Sequence, residues 1–327
     1  MKNNKIILAG GTGFIGQELL NDFGNDNEVV ILPRQLPHQK TNAFGENNMQ
    51  ETALKNTKFV QWDGITAGNW VKELEGADLI INLAGKTVNC RYNEKNKEEI
   101  FNSRTNTTKA IGAAIHQCTR PPKLWINAAS ATIYPYATTT PRDESFTDFA
   151  NDFSVQVCKL WEHTFYEQRT PFTRKVALRM AITLGAGGVM IPYFNLLKFG
   201  LGGRQGSGKQ MYSWVHVTDT CRMIEWLFEQ KELEGTFNCV SPFAATNSEF
   251  MVTLRKITGY KFGLPAFKWM LALGAPLIGT ETELVLKSRW VLPTRIRQSG
   301  FEFKYAKLEE AFKEIISKTP RHKYHLF

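Results

Sequence analysis

Short apolar runs alternate with helical segments through the first half of the chain. The run Ile6–Ala9 is short and continuous, which is typical of a strand buried on both faces of a parallel sheet. The next segment, Phe14–Phe23, has apolar residues at helical spacing. The alternation continues, with strands predicted at Glu28–Leu32, Lys58–Trp62, Ala77–Ala84, Leu124–Asn127 and Arg174–Met180, helices at Glu94–Gln117 and Phe153–Gln168, and a polar loop at Gln35–Thr57. This order predicts an α/β fold with a Rossmann-type doubly wound parallel sheet.

The pattern changes after about residue 180. Glycine-rich loops, a short strand, an apolar segment that is helical in places and amphipathic helices follow, at 185–188, 200–208, Ser213–Val217, Phe262–Leu292 and Leu308–Ile316. Thr218-Asp219 and Thr246-Asn247 predict helix starts, because short polar side chains cap the first N–H groups of a helix. We therefore predict a Rossmann domain at 1–180 and a smaller α+β substrate lobe at 181–327, with the chain crossing between them.

A glycine-rich turn lies between the first strand and the first helix. Its residues fit two overlapping spacings, Gly11-x-Gly13-x-x-Gly16 and Gly10-x-x-Gly13-x-x-Gly16. Without a Cβ, Gly10 and Gly13 can turn sharply and let a pyrophosphate approach the backbone, while Gly16 lets the helix pack closely on the strand. The helix start offers N–H groups and the positive dipole end. The turn therefore predicts dinucleotide binding; a glycine-rich turn without a ligand is the alternative.

The residue after the second strand bears on the choice of nucleotide. An NAD site has an acidic residue about 20 positions past the glycines, which bonds the ribose 2′-hydroxyl. Here Pro33-Arg34 stands at that place, and an arginine suits the 2′-phosphate of NADP. We predict NADP rather than NAD as the cofactor; a solvated loop residue is the alternative. Asp63 could accept a bond from the adenine amino group or serve only as a turn residue.

Composition narrows the classes of partner. The formal charge is +9, but the positive residues are scattered, which disfavours nucleic acid and favours a positive cleft for a phosphorylated cofactor or an anionic small molecule. The five cysteines show no metal-ligand spacing and predict reduced thiols. No apolar run of membrane-spanning length or signal-peptide core is present. We expect a cytoplasmic protein without a bound metal or a membrane contact; a homodimer is left open.

Three motifs resemble those of the extended short-chain dehydrogenase/reductases, of the NAD(P)-dependent epimerase/dehydratase kind. They are Gly10-Gly11-Thr12-Gly13-Phe14-Ile15-Gly16, Asn82-Leu83-Ala84-Gly85 and Ser130-Ala131-Thr132-Ile133-Tyr134. Further segments are similar to an atypical subgroup of "epimerase family" or "cell division inhibitor-like" proteins with a C-terminal domain of unknown function. These are Ser103-Arg104-Thr105-Asn106-Thr107-Thr108, Gly202-Gly203 with Gly206–Gln210, Ser213–Asp219, Val291-Leu292-Pro293 and Ser299–Phe303.

The resemblance implies roles for individual positions. The pyrophosphate would be held by glycines and backbone groups at Gly10, Thr12, Gly13, Phe14, Ile15 and Gly16. Arg34 would meet the adenosine 2′-phosphate and Asp63 the adenine. The nicotinamide ribose would lie beside Leu83, Ala84 and Gly85. Ser130 matches the serine that hydrogen-bonds the substrate carbonyl or hydroxyl in active members.

The helix after that serine departs from the family pattern. Active members carry a tyrosine and, four residues on, a lysine; the tyrosine is the acid/base, and the lysine lowers its pKa and holds the ribose. Alignment by Trp161-Glu162 puts Ser154 and Cys158 at these places, and a shift of one residue gives Val155 and Lys159. Neither register restores the tyrosine, so the usual proton relay is expected to be missing.

Other residues are candidates for the chemistry. Tyr134 follows Ser130 closely, and Glu144 lies on the loop that usually faces the substrate; the alternatives are a packed tyrosine and a charge at a helix entry. Arg91 and Lys209 could bind an anionic substrate group or be solvated charges. Tyr212 could contact substrate or pack beside its neighbours. We therefore predict catalytic roles for Ser130, Tyr134 and Glu144.

Two classes of function are compatible with these motifs. One is an NADP-dependent oxidoreductase, or an epimerase-like enzyme, with atypical chemistry. The other is a non-catalytic protein that binds NADP(H) and acts as a sensor or regulatory scaffold. A role in cell division rests on the family label alone.

Overall fold

The computed structural model describes residues 1–36, 55–270 and 286–325. The strands are β1 Lys5–Ala9, β2 Glu28–Leu32, β3 Thr57–Phe59, β4 Leu79–Asn82, β5 Leu124–Ser130, β6 Arg174–Met180, β7 Ile182–Leu184, β8 Met211–Tyr212, β9 Trp214–His216, β10 Gly235–Cys239 and β11 Ala245–Thr246. The helices are α1 Phe14–Phe23, α2 Glu94–Gln117, α3 Phe153–Glu167, α4 Met190–Lys198, α5 Val217–Glu229, α6 Asn247–Thr258, α7 Thr294–Gln298 and α8 Leu308–Lys318.

Seven strands form the central sheet in the order β10-β6-β5-β4-β1-β2-β3, and every pairing is parallel. Successive residues of β1 point to opposite faces: Ile6 and Leu8 pack with α1 and α5, and Ile7 and Ala9 pack with α2 and α3. All four are fully buried, as the continuous apolar run predicts. The doubly wound parallel sheet of the Rossmann type is confirmed.

The chain returns to this sheet after residue 180. Strand β10 pairs with β6, and helix α5 packs beside α1 on one face of the sheet. No strand is predicted at Gly235–Cys239, because polar Thr236 and Asn238 interrupt its apolar residues. Residues on both sides of the predicted domain boundary therefore build the sheet.

A separate apolar cluster holds the C-terminal lobe together. It joins α4, α6 and α8 through aromatic contacts, with Phe250 lying 5.0 Å from Phe312 between ring centroids. Thr246 is the N-cap of helix α6 as predicted, with a reciprocal capping box to Glu249, and Gly259 is its C-cap, with φ +81°. This lobe also contains two short strand pairs, β7 with β9 and β8 with β11.

The predicted cap of helix α5 is wrong. His216, not Thr218-Asp219, caps the helix: its Nδ1 accepts from the Thr218 N–H. Asp219 is fully buried and instead accepts from the N–H groups of Lys304 and Tyr305, each at 2.8 Å. The Asp219 carboxylate thus binds backbone N–H groups far along the chain, and a local capping pattern does not reveal such a contact.

Several predicted bounds match the structure, and others differ. Strands β2 and β6 and helices α1 and α2 agree with the prediction. Strands β3 and β4 are shorter, while β5 runs on to Ser130 because it pairs with β6 along seven residues. Parts of the predicted loop and of the apolar C-terminal segment, 37–54 and 271–285, lie outside the described residues. In the described ranges, no helix combines the length and apolar character needed to cross a bilayer.

Candidate functional site

The glycine turn lies at the carboxyl end of β1, where β1 has β2 on one side and β4 on the other. This is the position at which the strand order reverses, and open α/β sheets bind ligands there. Gly10 has φ +79°, and a Cβ on it would lie 2.8 Å from the backbone of Leu83 and Ala84. Only glycine fits that conformation and that contact.

The start of α1 is also shaped by missing side chains. Gly13 is its N-cap and makes no side-chain capping bond. A Cβ on Gly16 would approach the Gly11 Cα to 2.5 Å, so the helix lies directly on the turn. The first N–H groups of a helix have no intrahelical partner, and together with the dipole they favour an anion. The cradle therefore fits a pyrophosphate.

The other predicted residues of this turn occupy different environments. Thr12 and Ile15 are half-buried, and the Thr12 carbonyl accepts from the Gln17 side chain at 3.2 Å. The Phe14 ring packs over a glycine loop, 185–188, close enough that a Cβ at Gly185 would meet it at 2.5 Å. Phe14 thus ties α1 to the C-terminal part of the chain and leaves only its backbone for a phosphate.

Arg34 is exposed directly after β2. Its backbone is held in place, because its carbonyl accepts from the Gln61 side chain at 3.0 Å and the Pro33 carbonyl accepts from the Trp62 N–H at 3.1 Å. Arg34 therefore lies at the carboxyl edge of the sheet, on the side of β1 that is expected to receive the adenosine. No acidic residue replaces it there.

Asp63 forms its own turn. One carboxylate oxygen accepts from the N–H groups of Ile65 and Thr66, each at 2.8 Å, and the other accepts from the Thr66 hydroxyl. These hydrogen bonds, the one from the Thr66 hydroxyl most strongly, lower the pKa of Asp63. A role as a turn residue accounts for all of these contacts of Asp63, and its contact with adenine stays a prediction.

The end of β4 forms the middle of the crevice. The Leu83 N–H donates to the Ala9 carbonyl at 2.8 Å, and the Ala84 N–H donates to the Asn82 side chain at 3.1 Å. These bonds hold the backbone against the Gly10 turn. Gly85 is exposed, and a Cβ there would lie 3.4 Å from the guanidinium carbon of Arg104.

Ser130 ends β5, beside β4, and its hydroxyl accepts from the Thr132 N–H at 3.2 Å. The Cys158 thiol faces this hydroxyl from helix α3, while Lys159 is exposed. Burial raises the pKa of Cys158 to about 12, which favours the protonated thiol at neutral pH. Of the two registers considered, the structure thus turns Cys158 towards the site.

Tyr134 belongs to a buried polar network. Its hydroxyl donates to the Asn238 side chain at 2.9 Å and accepts from Arg179 at 2.8 Å. Arg179 also forms a two-pronged pair with Glu162, with both contacts at 2.7 Å. Burial raises the pKa of Tyr134 to about 12. The hydroxyl is fully engaged between β6, β10 and α3, and it is not aimed at open space.

Glu144 likewise makes contacts within the protein. It accepts from the Asn238 N–H at 2.9 Å and from the Arg295 N–H at 3.3 Å, joining its loop to β10 and α7. Burial raises its pKa. These contacts connect the first part of the chain to the C-terminal part, and neither of them is with Ser130.

The predicted substrate residues lie in different environments. Arg91 is exposed before α2, and Lys209 is exposed in the glycine-rich loop of the C-terminal lobe. Tyr212 is buried, and its hydroxyl accepts from Asn247 at 3.1 Å and donates to Gln205 at 3.4 Å. Burial raises the pKa of Tyr212. Its environment is that of a packed residue.

Sequence reasoning gave no role to Arg104. The residue lies in the quoted segment of α2, but only the packing of α2 on α3 places it beside the crevice. Its guanidinium carbon is 5.1 Å from the centre of the Trp161 ring, and one of its N–H groups donates to the Ile100 carbonyl at 3.0 Å. The segment that contains it is the only sequence signal that could have pointed to it.

The strand order and the glycine cradle define a Rossmann-type dinucleotide-binding fold. The chain matches the model of the NAD dependent epimerase/dehydratase family over residues 6–239, and that of a domain of unknown function, DUF1731, over residues 266–315. It therefore belongs to the NAD-dependent epimerase/dehydratase family, and the resemblance carried by the sequence motifs is confirmed.

Relatives and solved structures align with nearly the whole chain. The epimerase family protein YfhF of Bacillus subtilis is 31% identical, over 95% of this chain and 98% of the relative. The crystal structure of the human epimerase family protein SDR39U1 (isoform 2) with NADPH is 28% identical, covers 96% of this chain and 99% of that one, and has a TM-score of 0.81. A UDP-glucuronic acid 4-epimerase from Bacillus cereus, in complex with NAD, shares the fold at 17% identity, with 96% and 97% coverage and a TM-score of 0.76.

Proposed function

We propose that this protein binds NADP(H) and acts as an oxidoreductase that lacks the usual tyrosine-lysine relay. The observation that carries the proposal is the cradle at the end of β1, in which Gly10 and Gly16 leave no room for a Cβ, combined with the exposed Arg34 at the end of β2. The NADPH in the structure of the human relative supports the same choice of nucleotide.

Different residues around the crevice would contact different parts of the cofactor. The turn from Gly10 to Gly16 would hold the pyrophosphate on backbone N–H groups. Arg34 would pair with the 2′-phosphate, since a guanidinium matches two phosphate oxygens. The segment Leu83–Gly85 would lie along the nicotinamide ribose. Asp63 would contact the adenine while its carboxylate keeps the hydrogen bonds of its own turn.

Ser130 is the residue proposed to contact the substrate. Bound NADP(H) would supply or accept the hydride. The Ser130 hydroxyl would donate to the substrate oxygen, and in the reductive direction that oxygen would take one proton from water. In this proposal Tyr134 and Glu144 neither donate nor accept the transferred proton, because both side chains are hydrogen-bonded within the protein. The lobe 181–327 would supply the remaining wall of the substrate site.

Fluorescence titration with NADPH and NADH tests the cofactor. We expect the wild type to prefer NADPH, and Arg34→Ala to lose about ten- to a hundredfold in NADPH affinity, as is usual for a charged hydrogen bond of about 1.5–3 kcal/mol. NADH affinity should not change. Arg169→Ala, an exposed arginine in the turn before β6, is the matched control. Equal affinity of the wild type for both nucleotides would reject the role of Arg34.

A second experiment separates the enzyme from the alternative, a non-catalytic NADP(H) sensor. NADPH oxidation is followed across carbonyl substrates, including UDP-sugars, which the 4-epimerase neighbour suggests. We expect turnover that falls at least tenfold in Ser130→Ala and is unchanged in Ser317→Ala, on the distant helix α8. Tight NADPH binding without turnover on any substrate favours the sensor.

A further inference from the structure

Arg104 carries a charge that the described part of the chain does not balance. Its guanidinium is half-buried, and burial lowers its pKa, yet an arginine stays protonated at neutral pH. Its hydrogen bond to the Ile100 carbonyl is accompanied by no carboxylate within ion-pair distance among residues 1–36, 55–270 and 286–325. Buried charges are normally paired, so this one is available for a ligand.

The surroundings of Arg104 place that charge at the reaction end of the crevice. The guanidinium lies against Gly85 at the end of β4 and over the Trp161 ring of α3. Cys158, one turn before Trp161, faces both Arg104 and the Ser130 hydroxyl. The unpaired guanidinium and the residue proposed to bind the reacting oxygen thus border the same space.

Other charges nearby are balanced or engaged. Lys287 donates to Asp152 at 2.9 Å, and Arg289 contacts the Thr132 carbonyl and the Ser288 carbonyl. Arg179, further into the protein, is paired with Glu162 and cannot serve the crevice. Among these cations, Arg104 is the one that borders Gly85 at the end of β4, and its positive charge favours an anion there.

We propose that Arg104 binds an anionic group, a carboxylate or a phosphate, on the substrate that Ser130 contacts. This inference rests on the proposed function and narrows it to carbonyl or alcohol substrates that carry a negative charge near the reacting carbon. Arginine suits both groups, because its planar fork donates two parallel hydrogen bonds. Stacking on Trp161 would hold the fork in one orientation.

Binding of small anions to the NADPH complex tests the proposal without any turnover. Oxalate, inorganic phosphate and the neutral control oxamide are titrated into wild type saturated with NADPH, and the thermal midpoint and tryptophan emission are followed. We expect a saturable response to oxalate or phosphate and none to oxamide; the stronger of the two responses identifies the anionic group. Trp161→Phe should remove the emission change but keep the thermal one.

Variants assign the response to Arg104. Arg104→Gln should weaken anion binding at least tenfold, and Arg104→Lys should retain part of it. Lys159→Gln is the matched control, because it removes an exposed charge one residue after Cys158 and should leave anion binding intact. NADPH affinity should stay within about twofold in all three variants.

The outcomes separate this inference from the proposed function. Failure of the wild type to bind NADPH overturns both. Normal NADPH binding with no anion response, or a response that survives Arg104→Gln, overturns the role of Arg104 alone. A tenfold loss of NADPH affinity in Arg104→Gln, with anion binding unchanged, would assign the guanidinium to the cofactor and also overturn the proposal.

Discussion

The two halves of the crevice are built in different ways. At the end of β1, the nucleotide half is made of backbone and absent side chains, with Gly10 and Gly16 pressed against neighbouring backbone. At the end of β5, the reaction half is made of side chains, with the Ser130 hydroxyl facing the buried Cys158 thiol of helix α3. The first half is therefore shaped by backbone packing, and the second by the chemistry of individual side chains.

The polar groups behind the reaction half explain part of this difference. Tyr134, Arg179, Glu162 and Asn238 satisfy one another away from solvent. Such a network stabilises a single packing of β5, β6 and β10, because each member would be costly to leave unpaired. The comparison predicts that variants of this network change stability, while variants of the nucleotide half change cofactor binding.

The largest expected effect is on stability, from breaking the buried ion pair. Arg179→Met leaves the Glu162 carboxylate buried and unpaired, which should cost about 3–5 kcal/mol. Urea unfolding measures this change. The matched control, Lys123→Met, removes an exposed partner of Asp78 and should cost less than about 1 kcal/mol. The double variant Arg179→Met with Glu162→Gln should recover part of the loss, and a small effect of Arg179→Met would contradict the scaffold role.

The nucleotide half is tested by adding one methyl group. Gly10→Ala combines a left-handed φ with a clash 2.8 Å from backbone, and should cost about 3 kcal/mol and more than tenfold in NADPH affinity. Gly200→Ala is the control: its φ is +70°, but no described atom lies within 4 Å of the added Cβ. We expect only about 1–2 kcal/mol there and normal NADPH binding. Similar results for the two variants would show that close packing at Gly10 is unimportant.

The packing of the C-terminal lobe away from the crevice is tested by the pH dependence of stability. Glu314 on α8 lies 2.9 Å from His216, and although burial alone would raise its pKa, hydrogen bonds from His216 and Lys318 lower it to about 2. Its unfolded pKa is 4.5, so its contribution is present above pH 4.5 and is lost as the pH falls towards 2. The shift corresponds to about 3 kcal/mol.

Two neighbouring carboxylates act in the opposite direction. Burial raises the pKa of both Glu18 and Asp22 on α1, so their contribution improves as the pH falls. Unfolding free energy is therefore compared between wild type and Glu314→Gln from pH 6 to 2. The difference between them should shrink by about 3 kcal/mol over that range. A constant difference would show that Glu314 does not anchor α8.

Local patterns were enough to locate the glycine turn between β1 and α1 and Arg34 after β2. A buried apolar run, a glycine turn and a helix start each impose requirements on a few adjacent residues, so Gly10 and Arg34 could be placed from sequence. Arg104 could not, because its position depends on how α2 packs against α3, residues far apart in the chain. Strand β10 was missed for a related reason: Thr236 and Asn238 break its pattern, and only its pairing with β6 makes it a strand.

The smallest expected effect is on stability, from removing the Tyr134 hydroxyl, and it tests whether this hydroxyl takes part in the reaction or only in packing. Tyr134→Phe leaves Asn238 and Arg179 each short of one partner, and should cost about 1–2 kcal/mol of stability without changing NADPH affinity. Tyr166→Phe, which removes a more exposed hydroxyl bonded to Thr236, is the control and should cost less. If a substrate is found, turnover should survive Tyr134→Phe and fall in Ser130→Ala. Loss of turnover in Tyr134→Phe with stability intact would instead make the Tyr134 hydroxyl the proton donor. The hydrogen bonds of this hydroxyl to Asn238 and Arg179 would then not prevent it from acting as an acid.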